Sequence, residues 1–286
     1  MAHPGFAASD IDTSRPHPAR MYNFYLGGKD NYLVDQEAAR EVLRQAPEMR
    51  LIARENRAFL RRAVRFLVGE YGIRQIIDIG TGIPAAGNVH EIAQAITPDV
   101  RVAYVDNDPI VHVHASALLT GSAATAIVLA DVREPQIILA DPKVQALIDF
   151  SEPVALLLVA VMHFVTDADD PPGTVAAFHE ALAPGSYLAL SHATGDFRPH
   201  AAARAAAVYD RATSPLTLRT RAQITALFDG FEIVDPGVVQ LPLWRPDRRP
   251  PRDLSKIMGY CGLGYKTSAD TAQTTAPGAS QRTARA

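Results

Sequence analysis

From residue 74 onward the chain switches repeatedly between two hydrophobic periods. Short runs of adjacent apolar, mostly β-branched residues alternate with stretches in which apolar positions recur every three or four residues. The runs 74-RQIIDIG-80, 100-VRVAYVDND-108, 125-TAIVLADV-132, 154-VALLLVAVM-162 and 186-SYLALSH-192 read as strands. The segment 231-FEIVD-235 and a last run within 254–266 bring the count to seven. Helices are predicted between them over 88–96, 109–119, 174–183, 200–212 and 220–228. Asn88 and Glu91 are spaced as a capping box, and Pro109 suits a first helical position. Strand–helix alternation with right-handed crossovers predicts an α/β fold with a doubly wound, mostly parallel sheet.

Ahead of the first strand, 36–46 and 48–70 have helical spacing, with Leu51, Phe59, Leu60, Val64 and Leu67 on one face of the second. Residues 1–70 are therefore expected to form an N-terminal helical cap or lid, and 71–266 the sheet domain. The segment 267–286 has almost no large apolar residue and is expected to be a disordered tail.

Composition narrows the functional classes. A net charge of −3 over 286 residues points to neither a nucleic-acid nor a membrane partner. The run 154–162 is about half the length that spans a bilayer. No basic-then-apolar leader opens the chain, and Cys261 is its one cysteine, so a reducing cytoplasm is the expectation. No H-E-x-x-H or Cys/His cluster is present, and His112 and His114 are two apart on a predicted helix, so no metal is expected. The Pro-broken run 244-WRPDRRPPR-252 reads as a solvated loop.

In a doubly wound sheet, ligands bind beyond the carboxyl ends of the strands, so the residues that follow each strand carry the argument. After the first comes 78-DIGTGIPAAGN-88. Gly80 and Gly82 permit a tight turn and close backbone approach, and with Ala85 they satisfy G-x-G-x-x-A, a dinucleotide pattern. Asp78 argues against a pyrophosphate, which it would repel, and for the ammonium and sulfonium of S-adenosylmethionine (SAM). Asp106 ends the second strand, where a carboxylate accepts ribose hydroxyls; Asn107 follows it. Asp131 and Val132 follow the third, placed to meet an adenine amino group and a ring nitrogen. Val161, Met162 and His163 follow the fourth, beside the methionine portion of such a ligand. His163 and His192 are the candidate general bases.

The segments D-I-G-T-G-I-P, Y-V-D-N-D-P and A-D-V-R resemble class I SAM-dependent methyltransferases. Together with 19-ARMYNFYLGGKDNY-32 they resemble, more narrowly, a mainly actinobacterial family of SAM-dependent methyltransferases first catalogued as a domain of unknown function. The resemblance covers about residues 10–266. It implies a Rossmann-like sheet of seven strands with the last antiparallel, and a SAM site at Asp78, Gly80, Thr81, Gly82, Asp106, Asn107, Asp131, Val132 and the stretch after the fourth strand. It supplies no acceptor; a small molecule is the expectation. The aromatic N-terminal segment is then expected either to close over the ligand or to dock as a plain helix. In the first case Tyr22 and Lys29 meet the cofactor, Asn23 and Tyr25 meet the acceptor, and Gly27-Gly28 lets the backbone turn. Two rival functions remain open on sequence: an NAD-dependent oxidoreductase and a non-catalytic SAM-binding protein.

Overall fold

The computed structural model describes residues 12–84, 87–118 and 123–268. The expected disordered tail, apart from its first two residues, and Ala85 of the glycine pattern lie outside them. Among the described residues, three helices precede the sheet: α1 (Pro18–Leu26), α2 (Leu33–Gln45) and α3 (Met49–Gly69). The alternating part follows with β1 (Gln75–Ile79), α4 (Val89–Gln94), β2 (Arg101–Asp106), α5 (Pro109–Leu118) and β3 (Thr125–Leu129). Next come α6 (Pro135–Ala140), α7 (Pro142–Leu147), β4 (Ala155–Val159), α8 (Pro171–Ala181) and β5 (Tyr187–Ala193). The last elements are α9 (Pro199–Tyr209), α10 (Arg221–Ala226), β6 (Glu232–Ile233), β7 (Val239–Gln240) and β8 (Gly259–Tyr265).

The strands form one sheet in the order β3-β2-β1-β4-β5-β8-β6, and β7 also pairs with β8. β1 to β5 are mutually parallel, whereas β8 runs antiparallel to its neighbours. The sheet thus has eight strands where seven were expected. The extra one arises because the sixth is interrupted: β6 pairs with Gly264 and Tyr265, β7 with Tyr260 and Cys261, and the chain between them turns through Pro236 and Gly237. The pair α6 and α7 was also not foreseen. Each is six residues with proline at its start, too short for a helical period to register.

Side chains along the strands alternate between two cores. Ile76, Val102, Tyr104, Ala155 and Leu157 face the layer made by α3 and α4. Ile77, Ala103, Val105, Leu156 and Leu158 face the layer made by α6, α7, α8 and α10. This explains the unbroken apolarity of β4, which is buried throughout. Trp244, placed by sequence in a solvated loop, is instead fully buried, with its ring edge-to-face with Phe59 and Phe66 at 5.5 Å from each. Arg245 and its neighbours up to Arg249 are exposed, as expected. A third cluster, beneath α1, α2 and α9, joins Met21, Tyr25, Val42, Ala205 and Tyr209.

Three glycines in β8 record how tightly the chain returns over that strand. A Cβ on Gly264 would lie 2.6 Å from Phe231 Cβ and 3.0 Å from Phe228 Cδ1. The first contact is with an atom fixed to the backbone, so Gly264→Ala is expected to cost about 1–3 kcal/mol through overpacking. Urea denaturation measures this, and an unchanged midpoint would contradict the packing described.

Candidate active site

One cavity collects the residues that follow β1, β2, β3 and β4, and residues along α1, from Pro18 to Tyr25, with part of α3 roof it. It lies at the carboxyl edge where β1 stands between β2 and β4, the point at which strand order reverses. Gly80 makes the turn out of β1 with φ +71°, and a Cβ there would lie 2.6 Å from Val161 Cγ2. Both the backbone conformation and the close approach of the segment after β4 therefore require glycine. Gly80 N–H donates to Val105 O (2.8 Å), which seats the turn against the end of β2.

Three carboxylates ring this turn, each in a different environment. Asp78 is 5% exposed. Burial pushes its carboxyl up to about 6, against a hydrogen bond from the Thr81 hydroxyl and the charge of Arg57. Asp106 is equally buried and is pushed up to about 7 by burial, although it accepts two backbone N–H bonds. These come from Gly82 (2.8 Å) and Asp108 (2.9 Å). Asp131 differs: burial opposes its charge, but Arg133 and Asn107 outweigh it and hold the carboxyl below the usual range. Asn107 Nδ2 donates to it at 2.9 Å and Arg133 Nε at 2.9 Å.

The cap is fastened to this edge by a buried ion pair. Arg20 of α1 donates from Nε to Asp108 Oδ2 (2.9 Å) and from Nη2 to Asp108 Oδ1 (3.3 Å). Their side chains are 2% and 0% exposed. His17 Nδ1 lies 3.2 Å from the same carboxylate, and burial lowers that imidazole to about 4. A second tie runs through polar side chains. Tyr22 donates to Ala53 O (3.0 Å) and accepts from Asn56 Nδ2 (3.0 Å). Asn56 Oδ1 accepts from Ser191 Oγ (2.6 Å), which itself accepts from Ala160 N–H (2.9 Å). Ala160 has φ +61°, a left-handed conformation for a non-glycine residue at the cavity wall.

The two candidate bases meet different fates. His192 is 2% exposed and uses both ring nitrogens: Nδ1–H donates to Ala193 O (2.7 Å), and Nε2 accepts from Arg219 Nη1 (2.9 Å). Burial lowers it to about 4. In this arrangement the guanidinium occupies the free lone pair of His192, and both ring nitrogens are engaged within the protein. Arg219 also donates to Met162 O (3.1 Å) and Val165 O (2.9 Å), so this cluster sets the path of the chain after β4. His163 Nδ1 accepts from Ala193 N–H at 3.3 Å. Burial, then His192 and Arg219, hold His163 well below its ordinary pKa. The neutral ring therefore carries its proton on Nε2.

Most of the residues named from sequence meet at this cavity: Asp78, Gly80, Thr81, Gly82, Asp106, Asn107, Asp131, Val132, Val161, Tyr22, Tyr25, His163 and His192. Met162, Asn23 and Lys29 do not line it. Met162 points into the core below the sheet. Gly27, with φ +85°, is the C-cap of α1, and Gly28 N–H donates to Asn23 O (2.9 Å). Asn23 packs over Gly28 and accepts from Asn31 Nδ2 (2.7 Å). Lys29 is exposed beyond that cap. The glycine pair thus ends a helix, and the segment reaches the cavity through His17 to Ala19 and through Tyr22 and Tyr25. Among the described residues, no group of three or more His, Cys, Asp or Glu is placed to hold a metal ion.

A family model described as S-adenosyl methyltransferase matches residues 4–267. The chain belongs to this S-adenosyl methyltransferase family. Its methyl donor is accordingly SAM, and the rival oxidoreductase reading has no support. The methyltransferase is similar to a candidate methyltransferase from Thermobifida fusca, at 40% identity, over 93% of this chain and all (100%) of that one, with a TM-score of 0.87. It is similar to a DUF574 family protein from Streptomyces avermitilis, at 43% identity, over 90% of this chain and 99% of that one, with a TM-score of 0.86. No curated protein matches. The sheet and its flanking helices are the Rossmann-like α/β fold of class I methyltransferases. The donor set also suits a nucleoside bearing an ammonium: a glycine turn that leaves room for a close ligand, one carboxylate with a single hydroxyl donor, and a second at the end of β2.

The methyltransferase is expected to depend on Arg20 for stability. Removing one partner of a buried pair strands the other charge, so Arg20→Leu should cost about 3–5 kcal/mol. Equilibrium urea unfolding measures it. A loss below about 1 kcal/mol would show that Asp108 finds another partner and that α1 is not anchored there.

Proposed function

We propose that this methyltransferase moves the SAM methyl group to a small-molecule acceptor enclosed beneath its helical cap. When bound, SAM supplies an electrophilic methyl group on a sulfonium centre. Asp78 receives the amino-acid ammonium, Asp106 the ribose hydroxyls, and Asp131 with the backbone at Val132 the adenine edge. Gly80 and Gly82 let the backbone pass close beneath the ligand, while Val161 and Tyr22 close its sides. The remaining work of the chain is alignment of the acceptor and exclusion of water.

The observation that carries this reading is the state of Asp78. It is a buried carboxylate near the end of β1 that lines the cavity, and burial raises its pKa to about 6 against a hydrogen bond from the Thr81 side chain. A pyrophosphate beside it would add repulsion, whereas an ammonium relieves the cost of burying the charge. The single cysteine, Cys261, is buried with its thiol pushed up, which fits a protein of the reducing cytoplasm.

Two consequences are measurable in one calorimetric series. Asp78→Asn should weaken SAM by about 10- to 100-fold through loss of a charge-assisted bond, and adenosine by less than about 3-fold. Equal losses would assign Asp78 a purely structural role. The wild-type affinity for SAM should also rise as pH increases through about 6 to 7, with proton release on binding, because the cation favours ionised Asp78. In the ligand-free protein the same two raised carboxyls act oppositely. Their contribution to stability is complete below about pH 4 and falls as pH rises through about 6 to 7. An affinity flat across that range would remove Asp78 from the binding step.

A further inference from the structure

The cavity has two halves of different chemistry. Its carboxylate and guanidinium side chains, Arg57, Asp78, Asp106, Asp131 and Arg133, belong to the strand ends and to the stretch of α3 facing them. Arg57 donates to Gly87 O (2.9 Å), on the glycine-turn side. The other half is walled by Tyr25, Ile52, Phe164, Tyr209, Leu216 and Met258. These six belong to the cluster beneath the cap, and none carries charge. Phe164 and Tyr209 face each other with ring centroids 5.7 Å apart.

The polar atoms of this apolar half are few and neutral. The hydroxyls of Tyr25 and Tyr209 lie 3.1 Å apart. One donates to the other, which leaves a single phenol proton for a third group. Burial raises both phenols, Tyr209 to about 12, so neither is a base at ordinary pH. His163 offers Nε2–H, and its other nitrogen is already used by Ala193. Among the described residues, the chamber thus supplies hydrogen-bond donors and no side-chain proton acceptor of basic strength.

Resting on the methyl-transfer reading above, we infer that the acceptor is an uncharged aromatic molecule whose reacting group is a phenol-type hydroxyl. Its ring lies among the apolar walls, where a permanent charge would be desolvated without a partner. Its oxygen is held by His163 Nε2–H and by the free hydroxyl of the Tyr25–Tyr209 pair. The phenol gives up its proton to water before its oxygen is seated, and the phenolate oxygen is then paired with these two donors and with the sulfonium charge; an alkyl alcohol is too weak an acid to do this at comparable pH. The phenolate lone pair then forms the new O–C bond to the sulfonium methyl carbon while the C–S pair withdraws to sulfur, giving an aryl methyl ether and a neutral thioether.

The test is calorimetric titration of the full chain, first with S-adenosylhomocysteine, then of the saturated complex with 2-naphthol, naphthalene-2-sulfonate and 2-naphthylamine. Failure of S-adenosylhomocysteine to bind refutes the methyl-transfer reading itself. If it binds, 2-naphthol is expected to bind at least about 10-fold more tightly than either analogue. Tyr209→Phe should weaken 2-naphthol by about 3- to 10-fold, as loss of one neutral hydrogen bond implies, and leave S-adenosylhomocysteine unchanged; His163→Leu should weaken 2-naphthol by a similar factor and by more than it weakens S-adenosylhomocysteine. Thermal melting establishes that each variant is folded, and Tyr25→Phe replaces Tyr209→Phe should the latter not be. Tighter binding of the sulfonate or the amine, no binding of 2-naphthol, or 2-naphthol affinity unaltered in the folded variants overturns the inference.

Discussion

Asp106 and Asp108, two residues apart at the end of β2, tie the ligand-side edge of the sheet together. One oxygen of Asp106 accepts the Gly82 N–H and the other accepts the Asp108 N–H. Asp108 in turn takes the guanidinium of Arg20 from α1 and the N–H of Ile110 at the start of α5. The glycine turn, the second strand, its following helix and the cap are therefore held by two buried carboxylates. Such charges are costly away from water unless every oxygen is engaged. The engagement of Asp108 explains why α1 is a packed element with Arg20, Met21 and Tyr25 buried.

Once the cap is fixed, the cavity beneath it acquires its two halves. Strand ends contribute acids, because parallel strands deliver their carboxyl termini to one edge. Amphipathic cap helices contribute apolar faces, because their polar faces look outward to solvent. The boundary runs past Asn56 and Ser191, whose bond of 2.6 Å links α3 to β5 and fixes Ala160 through its N–H. The segment after β4, which carries His163, is positioned from the other side by Arg219. A donor half rich in carboxylates beside a neutral apolar half is the arrangement expected of an enzyme that brings a cation to an uncharged partner.

Much of the sheet was legible because burial on both faces forces continuous apolar runs, and each acid that ends a run marks its carboxyl terminus. Asp78, Asp106 and Asp131 are found at the cavity for that reason. The interrupted sixth strand was not legible, since β6 and β7 are each two residues long and carry no period. Nor were the partners that fix the site. Arg20 and Asp108 are 88 positions apart, and Arg219 and His192 are 27 apart, so no local pattern announces either contact. The aromatic N-terminal segment signalled a relation to the ligand edge, and Tyr22 and Tyr25 line the cavity there. A glycine pair after an apolar stretch serves a helix C-cap as readily as a hinge, and here Gly27 is the C-cap of α1 with Asn23 packed on Gly28.

The most direct test of this account is a crystal structure of the complex with S-adenosylhomocysteine. The account predicts the ammonium within hydrogen-bond distance of Asp78 and a ribose hydroxyl within that distance of Asp106. It also predicts the thioether sulfur at the mouth of the chamber between His163 and Tyr25. A nucleoside bound with its amino-acid end away from Asp78, or a sulfur facing solvent rather than the chamber, would contradict it.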